Sequence, residues 1–175
     1  PDLEWILKRR SIRKFTDQPV SDEQVTSILE AAMAAPSAMN MKPWKFIVVR
    51  GEEQMAELRK ALPFGKIDAP CAIVVCGDLR SIKRPVMERF WEQDCSAASQ
   101  NILLAATVLG LGSVWCGVHP INVTERSVRA VLSIPSGVIP LNAIFLGYPA
   151  EAKPSRTQFS EDNVYSNKFG HPREK

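Results

Sequence analysis

Apolar residues along the chain repeat with two different spacings, one typical of helices and one of strands. Behind residues 21–24, Ser-Asp-Glu-Gln, which have the pattern of a capping box, apolar side chains recur every three or four residues, as in a helix that ends before Pro36. These side chains are Val25, Ile28, Leu29, Ala32 and Met33. Similar patterns predict helices over 2–8, with Asp2 as N-cap, and over 52–62, 93–109 and 124–132.

Short apolar runs rich in β-branched residues predict four strands. They cover residues 45–50, 71–76, 113–118 and 138–146, and Cys71 and Cys76 are expected in the core of the second strand. Strands that alternate with helices predict an α/β or α+β sandwich. Residues 1–150 hold all of these elements and are expected to form one domain. Residues 151–175 are a polar tail that is either disordered or packed on a partner subunit.

One long segment of the chain is uncharged. Residues 95–124 contain no Asp, Glu, Lys or Arg. Ser96, Asn101, Gly110 and Pro120 interrupt the segment, which argues against the continuous apolar run that a membrane span needs. We interpret it as a buried helix and strand. A helix that is apolar on nearly every side belongs in a core or in a subunit interface.

Composition narrows the function classes. The chain has 175 residues, is 45% hydrophobic and 23% charged, and carries a formal net charge of +3, which is ordinary for a globular protein. The four cysteines form no CxxC pair and match no zinc spacing. Without a secretory pattern at the start, reduced thiols and a cytoplasmic location are expected. His119 and His171 are too few for a histidine-based metal site, so no metal is expected.

Basic residues cluster in one place, Arg9-Arg10-Ser11-Ile12-Arg13. Guanidinium groups bind phosphate oxygens in pairs, and a hydroxyl group adds a donor. The residues alone leave three interpretations open: a solvated helix end, a phosphate site, and a nucleic-acid arm. The tail carries a second small basic group at Lys153 and Arg156, for which a solvated surface is the simplest interpretation.

Two further segments are candidate ligand-binding regions. The proline-flanked loop 36–44 offers Ser37 and Asn40 as hydrogen-bonding groups, although Trp44 also fits a plain connection into the core. Residues 110–117, Gly-Leu-Gly-Ser-Val-Trp-Cys-Gly, permit a close approach of the backbone to a flat ligand or another chain. This segment is not a GxGxxG motif, and no Walker A motif is present. Cys116 has no adjacent base that favours a nucleophilic role.

Taken in order, these segments resemble the nitroreductase family of flavoenzymes. The resemblance extends over about residues 5–160 and lies in residues 9–15, 35–46, 94–106, 110–115 and 147–149, with Lys153 and Arg156 beyond them. It implies a three-layer α+β sandwich, with a central, mainly antiparallel sheet flanked by helices. It also implies an intertwined homodimer that holds FMN at its interface, with the tail 151–175 packed on the partner subunit.

The resemblance assigns cofactor roles residue by residue. Arg9 and Ser11 match positions that hold the FMN phosphate and ribityl end, with Arg10 assisting, and Arg156 and Lys153 match tail residues that complete the phosphate site.

A second group of residues is assigned to the flavin ring. Arg13 matches the basic residue near N1 and O2, where a positive charge would stabilise the reduced flavin. The loop that covers the flavin from the other subunit is matched by Pro36, Ser37, Ala38 and Asn40. The segment whose backbone N–H approaches N5 is matched by Cys116 and Gly117. In residues 63–68 only Lys66 could reach the pyrimidine edge, and the substrate-capping insertion between the middle helices is short. The loops that distinguish specialised members of the family would lie near residues 79–92, which have no assigned role.

The implied activity is that of an oxidoreductase with a ping-pong sequence. NADH or NADPH passes hydride to flavin N5, and the reduced flavin then reduces an acceptor. Nitroaromatics and quinones are the expected acceptors, and no catalytic side chain is needed because the cofactor carries the chemistry. Two flavin-based alternatives remain: a specialised enzyme of the same fold, such as a dehalogenase or dehydrogenase, and a non-enzymatic FMN-storage protein. A nucleic-acid module would use the basic cluster, but the uncharged core segment and the lack of a wider basic surface count against it.

Overall fold

The computed structural model describes residues 3–64 and 66–173. The helices and strands in these ranges are α1 (Glu4–Lys8), α2 (Asp22–Met33), β1 (Trp44–Val49), α3 (Glu52–Ala61), β2 (Cys71–Asp78), α4 (Trp91–Val108), β3 (Gly112–Gly117), α5 (Asn122–Leu132) and β4 (Val138–Gly147). The predicted elements are confirmed, with ends within two residues of the predicted ones. Asp2, the predicted N-cap of the first helix, lies outside the described residues.

The four strands form one sheet in the order β1-β2-β4-β3, and every neighbouring pair is antiparallel. Ile73 on β2 lies opposite Ile144 on β4, which in turn lies opposite Trp115 on β3. The mainly antiparallel sheet is therefore confirmed. β3 is an edge strand, so its outer edge is open to other parts of the protein.

Helices cover both faces of the sheet. Because side chains alternate along a strand, Ile73 and Val75 of β2 pack with residues of α2 and α4, whereas Ala72 and Val74 pack with residues of α3 and α5. The three-layer α+β sandwich is confirmed. Cys71 and Cys76 are buried in β2, as predicted.

The uncharged segment forms most of α4, all of β3 and the first residues of α5, so the expected helix and strand are confirmed. Cys95, Ala98, Ile102 and Ala106 of α4 are buried against the sheet. The last turn of α4 is different, because the Val108 side chain is 64% exposed. Among the described residues, no helix combines the length and the apolarity that crossing a membrane requires.

Local signals in the sequence hold α2 in place. The Ser21 hydroxyl accepts the Gln24 N–H at 3.2 Å, and the Gln24 side-chain oxygen accepts the Ser21 N–H at 3.1 Å. The capping box is confirmed. The amide nitrogen of Gln24 also donates to the Tyr148 hydroxyl at 3.1 Å, which ties the start of α2 to the residue after β4.

Candidate functional site

The segment that follows α1 is attached to the ends of two strands. The Ile12 N–H donates to the Ser113 carbonyl at the start of β3, over 2.9 Å, and the Thr16 N–H donates to the Tyr148 carbonyl just after β4, also over 2.9 Å. Gly112 permits this arrangement, because a Cβ at this glycine would lie 2.8 Å from Cγ2 of Ile12. The first residue of β3 is therefore small so that the segment can pass.

The first residues of the tail fold over the same segment. The Ala150 N–H donates to the Lys14 carbonyl at 2.9 Å, and the Lys153 ammonium group donates to the Ser11 carbonyl at 2.6 Å. Farther along, Arg10 donates to the Pro154 carbonyl. The Arg156 N–H donates to the Leu7 carbonyl at 3.3 Å. The basic residues from the two ends of the chain are thus brought together, although more than 140 positions separate Ser11 from Lys153.

Several of these basic residues have side chains that are free to bind a ligand. Within the described residues, the guanidinium groups of Arg9, Arg13 and Arg156 have no hydrogen-bond or ion-pair partner. These three groups are chemically suited to a phosphate, because each presents a fork of N–H donors. The cluster Arg9, Arg10, Ser11, Arg13, Lys153 and Arg156 is called the two-end cluster below.

Sequence reasoning missed one residue that contacts the two-end cluster, Glu151. Its carboxylate accepts the Arg13 N–H at 2.6 Å and the Lys14 N–H at 3.3 Å, and it lies 3.1 Å from the Lys153 ammonium group. The hydrogen bond from the Arg13 backbone is the main cause that lowers the pKa of Glu151, and Lys153 adds to it. A lone acid two positions before a lysine in a basic segment was the only signal in the sequence.

The two candidate residues at the end of β3 differ in their surroundings. Cys116 is buried on the α3 and α5 side of the sheet. Burial raises the pKa of its thiol, while the positive charge of Arg13 opposes that shift. A raised pKa disfavours the reactive thiolate. Gly117 is exposed, and a Cβ there would meet no atom within 4 Å, so one face of the strand end is open.

The loop between α2 and β1 is tightly folded around a buried acid. The Ala38 N–H donates to the Asp94 carboxylate at 2.9 Å, and the Ser37 hydroxyl accepts the Lys42 N–H at 3.0 Å. Burial raises the pKa of Asp94, although the Ala38 N–H opposes this. Met39, Asn40 and Lys42 have positive φ angles of 51°, 56° and 51°. Non-glycine residues rarely adopt this conformation, which is frequent at ligand sites.

Within one chain, this loop and α1, the helix that leads into the two-end cluster, contact opposite ends of α4. Asp94, which holds the loop, lies in the first turn of α4, whereas Trp5 of α1 lines a groove with Leu104 and Val108 near its last turn. A helix of this length separates these two contact points by roughly 20 Å. Pro36, Ser37, Ala38 and Asn40 are therefore not brought together with Arg9 and Ser11 in a single chain.

An apolar surface lies beside the two-end cluster. Leu3, Trp5, Ile6 and Leu7 of the first helical region are each more than one third exposed. The groove between α1, α2 and α4 has a volume of about 340 Å³, and its lining is mostly apolar. Contiguous exposed apolar surface of this kind is typical of a binding site for another protein chain.

His119 has a structural environment. Its Nδ1 lies 2.6 Å from Glu125 and its Nε2 lies 3.3 Å from Glu92, and its ring meets the Trp91 ring edge-on at 5.0 Å. These contacts join the end of β3 to the starts of α4 and α5. In the ranges 3–64 and 66–173, no group of three or more His, Cys, Asp or Glu side chains is placed to bind a metal ion.

Comparisons with known proteins agree with this architecture. The sequence matches the nitroreductase family model over residues 6–63 and 62–148. A relative from Methanothermobacter thermautotrophicus, provisionally named NADH dehydrogenase/NAD(P)H nitroreductase, is 48% identical over 169 residues, which cover 95% of this chain and 87% of the relative. A crystal structure from Bacteroides thetaiotaomicron with the same provisional name has a TM-score of 0.89 and 36% identity, and the match covers 95% of this chain and 97% of that one.

A third comparison concerns a protein with a bound cofactor. The crystal structure of a provisionally named nitroreductase from Desulfovibrio desulfuricans in complex with FMN has a TM-score of 0.81 and 36% identity, and covers 97% of this chain and 98% of that chain. The antiparallel α+β sandwich and the family match define the class of the protein. This chain belongs to the nitroreductase family.

Proposed function

We propose that this chain is an FMN-dependent NAD(P)H oxidoreductase. The observation that carries the proposal is the two-end cluster, in which hydrogen bonds join the segments that carry Arg9, Arg13 and Arg156, whose guanidinium groups have no partner within the described residues. The names of its relatives and the FMN complex of a similar structure support the same function. When bound, FMN would supply the hydride chemistry, between NADH or NADPH and a nitroaromatic or quinone acceptor in a ping-pong sequence.

The donor set fits the phosphate end of FMN. Arg9 and Arg156 offer free guanidinium forks for the phosphate oxygens, and Ser11 adds a hydroxyl group. Arg10 is partly engaged, because it also donates to the Pro154 carbonyl. Lys153 is more fully engaged, since its ammonium group already contacts the Ser11 carbonyl and Glu151. We therefore assign the main phosphate contacts to Arg9, Ser11 and Arg156.

The residues near the end of β3 fit the flavin ring. Arg13 holds a positive charge that would stabilise negative charge on the ring, and Gly117 leaves space for a flat ligand. The Cys116 side chain is buried on the side of the sheet that α3 and α5 cover, so Cys116 would contribute its backbone to the site rather than its thiol. None of these residues needs to transfer a proton for hydride chemistry to proceed.

We propose that the complete site needs two copies of the chain. The loop 36–40 lies near the start of α4, whereas α1, which leads into the two-end cluster, lies near its end, so a second chain would have to supply the loop. The apolar surface of Leu3, Trp5, Ile6 and Leu7 offers the contact area for that second chain. The chain exposes 10514 Å² of surface, whereas a compact monomer of this mass exposes about 8,500 Å².

The tail fits a role as an arm on the partner subunit. Residues 159–173 close on themselves, with the Arg173 side chain 3.0 Å from Glu161 and the rings of Tyr165 and Phe169 4.6 Å apart. Phe159 and Phe169 are 62% and 88% exposed. Aromatic side chains this exposed favour contact with another surface.

An anaerobic absorption experiment tests the proposed function. The purified protein is incubated with FMN, freed from excess flavin, and titrated with NADH and with NADPH. We expect a retained flavin spectrum that one or both donors bleach. A retained flavin that neither donor bleaches would favour a storage protein or a specialised enzyme. Failure to retain FMN, together with salt-dependent binding to DNA or RNA, would favour a nucleic-acid module.

A further inference from the structure

A carboxylate occupies the centre of the two-end cluster. Glu151 accepts two consecutive backbone N–H groups, those of Arg13 and Lys14, and pairs with the Lys153 ammonium group at 3.1 Å. The same ammonium group donates to the Ser11 carbonyl at 2.6 Å. A continuous path of contacts therefore runs from the tail into the backbone of residues 11–14.

A negative charge in this position needs an explanation. The proposed ligand is itself an anion, and like charges at close range repel each other. If the carboxylate had no other role, the site would bind phosphate better without it. The contacts of Glu151 are made with backbone atoms of the segment that carries Ser11 and Arg13, so its effect on that segment is geometric.

We propose that Glu151 is a positioning residue for the phosphate end of the flavin site. This inference rests on the proposed function. Glu151 fixes the backbone of residues 11–14 and holds Lys153 against the Ser11 carbonyl, so that the Ser11 side chain is presented to the phosphate in one arrangement. Lys153 acts through the same contacts and is a support for Ser11 more than a ligand of the phosphate.

The direction in which one substitution changes the affinity for FMN separates the two possible roles of the Glu151 carboxylate. Glu151→Gln removes the charge and keeps an oxygen that can accept an N–H. Because hydrogen bonds to a charged group are stronger than neutral ones, we expect the Kd for FMN to rise by about tenfold, which corresponds to one such bond. Simple charge repulsion predicts the opposite, a lower Kd for FMN.

Riboflavin, which lacks the phosphate, serves as a second ligand in the same assay. We expect Glu151→Gln to change the Kd for riboflavin much less than the Kd for FMN. Glu53→Gln, which removes an equal charge from the exposed start of α3, is the matched control and should leave both constants unchanged. Equal weakening of both flavins with a lower Tm would show a merely structural role and would overturn the inference.

A double substitution tests whether Glu151 and Lys153 act together. Lys153→Met and Glu151→Gln are each expected to raise the Kd for FMN. The fold-increase in Kd of the double variant should be clearly smaller than the product of the two single fold-increases. Residues that act through one contact are non-additive in this way. Additive effects would mean that Lys153 binds the phosphate independently of Glu151 and would overturn this part of the inference.

Amide hydrogen exchange in the flavin-free full chain keeps this inference separate from the proposed function. Exchange at Arg13 and Lys14 should be faster in Glu151→Gln than in the wild-type protein, because their acceptor is weakened. If the wild-type protein failed to bind FMN while this acceleration was present, the proposed function would fail and the role of Glu151 in fixing the segment would stand. Unchanged exchange at both amides would overturn that role.

Discussion

The ammonium group of Lys153 donates a hydrogen bond to the backbone carbonyl of Ser11 at 2.6 Å. This contact joins two ends of the chain that are both basic and that would repel each other in isolation. The repulsion is offset because Glu151 lies between them and accepts the Arg13 N–H at 2.6 Å. The result is a fixed arrangement of cations whose free guanidinium groups are available to an anionic ligand.

Arg13→Ala is expected to slow reduction of the flavin more than it weakens FMN binding. The reason is that a cation beside the ring stabilises the charge of the reduced cofactor, whereas the phosphate is held by other residues. Rapid-mixing absorbance with NADH or NADPH gives the reduction rate, and fluorescence titration gives the Kd for FMN. Lys14→Ala, at the neighbouring exposed cation, is the control. A reduction rate equal to that of the wild-type protein would refute the role of Arg13.

Two truncations separate the functions of the tail. A chain that ends at Ala150 loses Glu151, Lys153 and Arg156 and is expected to lose FMN and to form a weaker dimer. A chain that ends at Arg156 keeps those three residues and lacks the exposed Phe159 and Phe169, so it should retain FMN while its dimer dissociates more readily. Flavin absorbance after gel filtration and the elution volume provide both readouts. Retained flavin and an unchanged elution volume in the shorter chain would contradict the account.

Substitution of two glycines of β3 should give opposite patterns. Gly112→Ala places a Cβ 2.8 Å from Ile12, so it should destabilise the fold by about 1–3 kcal/mol, as overpacking does. Gly117→Ala meets no atom within 4 Å and should leave Tm nearly unchanged, but it should weaken FMN binding because it fills the proposed flavin space. Thermal unfolding and FMN titration measure the two effects. Unaltered FMN affinity in Gly117→Ala would exclude this glycine from the site.

The exposed apolar surface yields a prediction with a closely matched control. Val108 on α4 is 64% exposed and Val123 on α5 is 62% exposed, on opposite sides of the sheet. Val108→Lys should dissociate the dimer and reduce FMN occupancy, while Val123→Lys should do neither, because isolated surface substitutions usually change stability by less than about 0.5 kcal/mol. Sedimentation velocity of the two variants decides the matter. Equal sedimentation of both variants as dimers would place the interface elsewhere.

Most of the fold could be predicted from local sequence patterns. The capping box at Ser21 and Gln24 and the β-branched runs of β2 and β4 act over a few residues, so their spacing alone predicts the elements. The joining of Ser11 to Lys153 is different, because it spans 142 positions and no periodicity encodes it. Only the family resemblance brought these residues together in the prediction.

The features that sequence reasoning missed share a physical cause. Glu151 acts on backbone N–H groups, which every residue except proline carries, so no pattern of side chains marks it. Met39 and Lys42 adopt positive φ angles without being glycine, which neither residue type signals. Asp94 lies in the segment 94–106 that resembles the family, but its contact with the Ala38 N–H depends on tertiary packing, which the sequence does not show.

We expect each flavin site to be built from the two-end cluster of one chain and the loop 36–40 of another, and a mixed dimer distinguishes this arrangement from a site within one chain. Arg9→Glu disables the cluster and Asn40→Trp blocks the loop, and each homodimer is expected to lose FMN and NAD(P)H oxidation. Co-expressed with different tags and purified as the mixed dimer, the two variants should leave one intact site, with half of the wild-type FMN content and activity. No flavin and no activity in the mixed dimer would contradict the account, because a site contained in a single chain would be damaged in both.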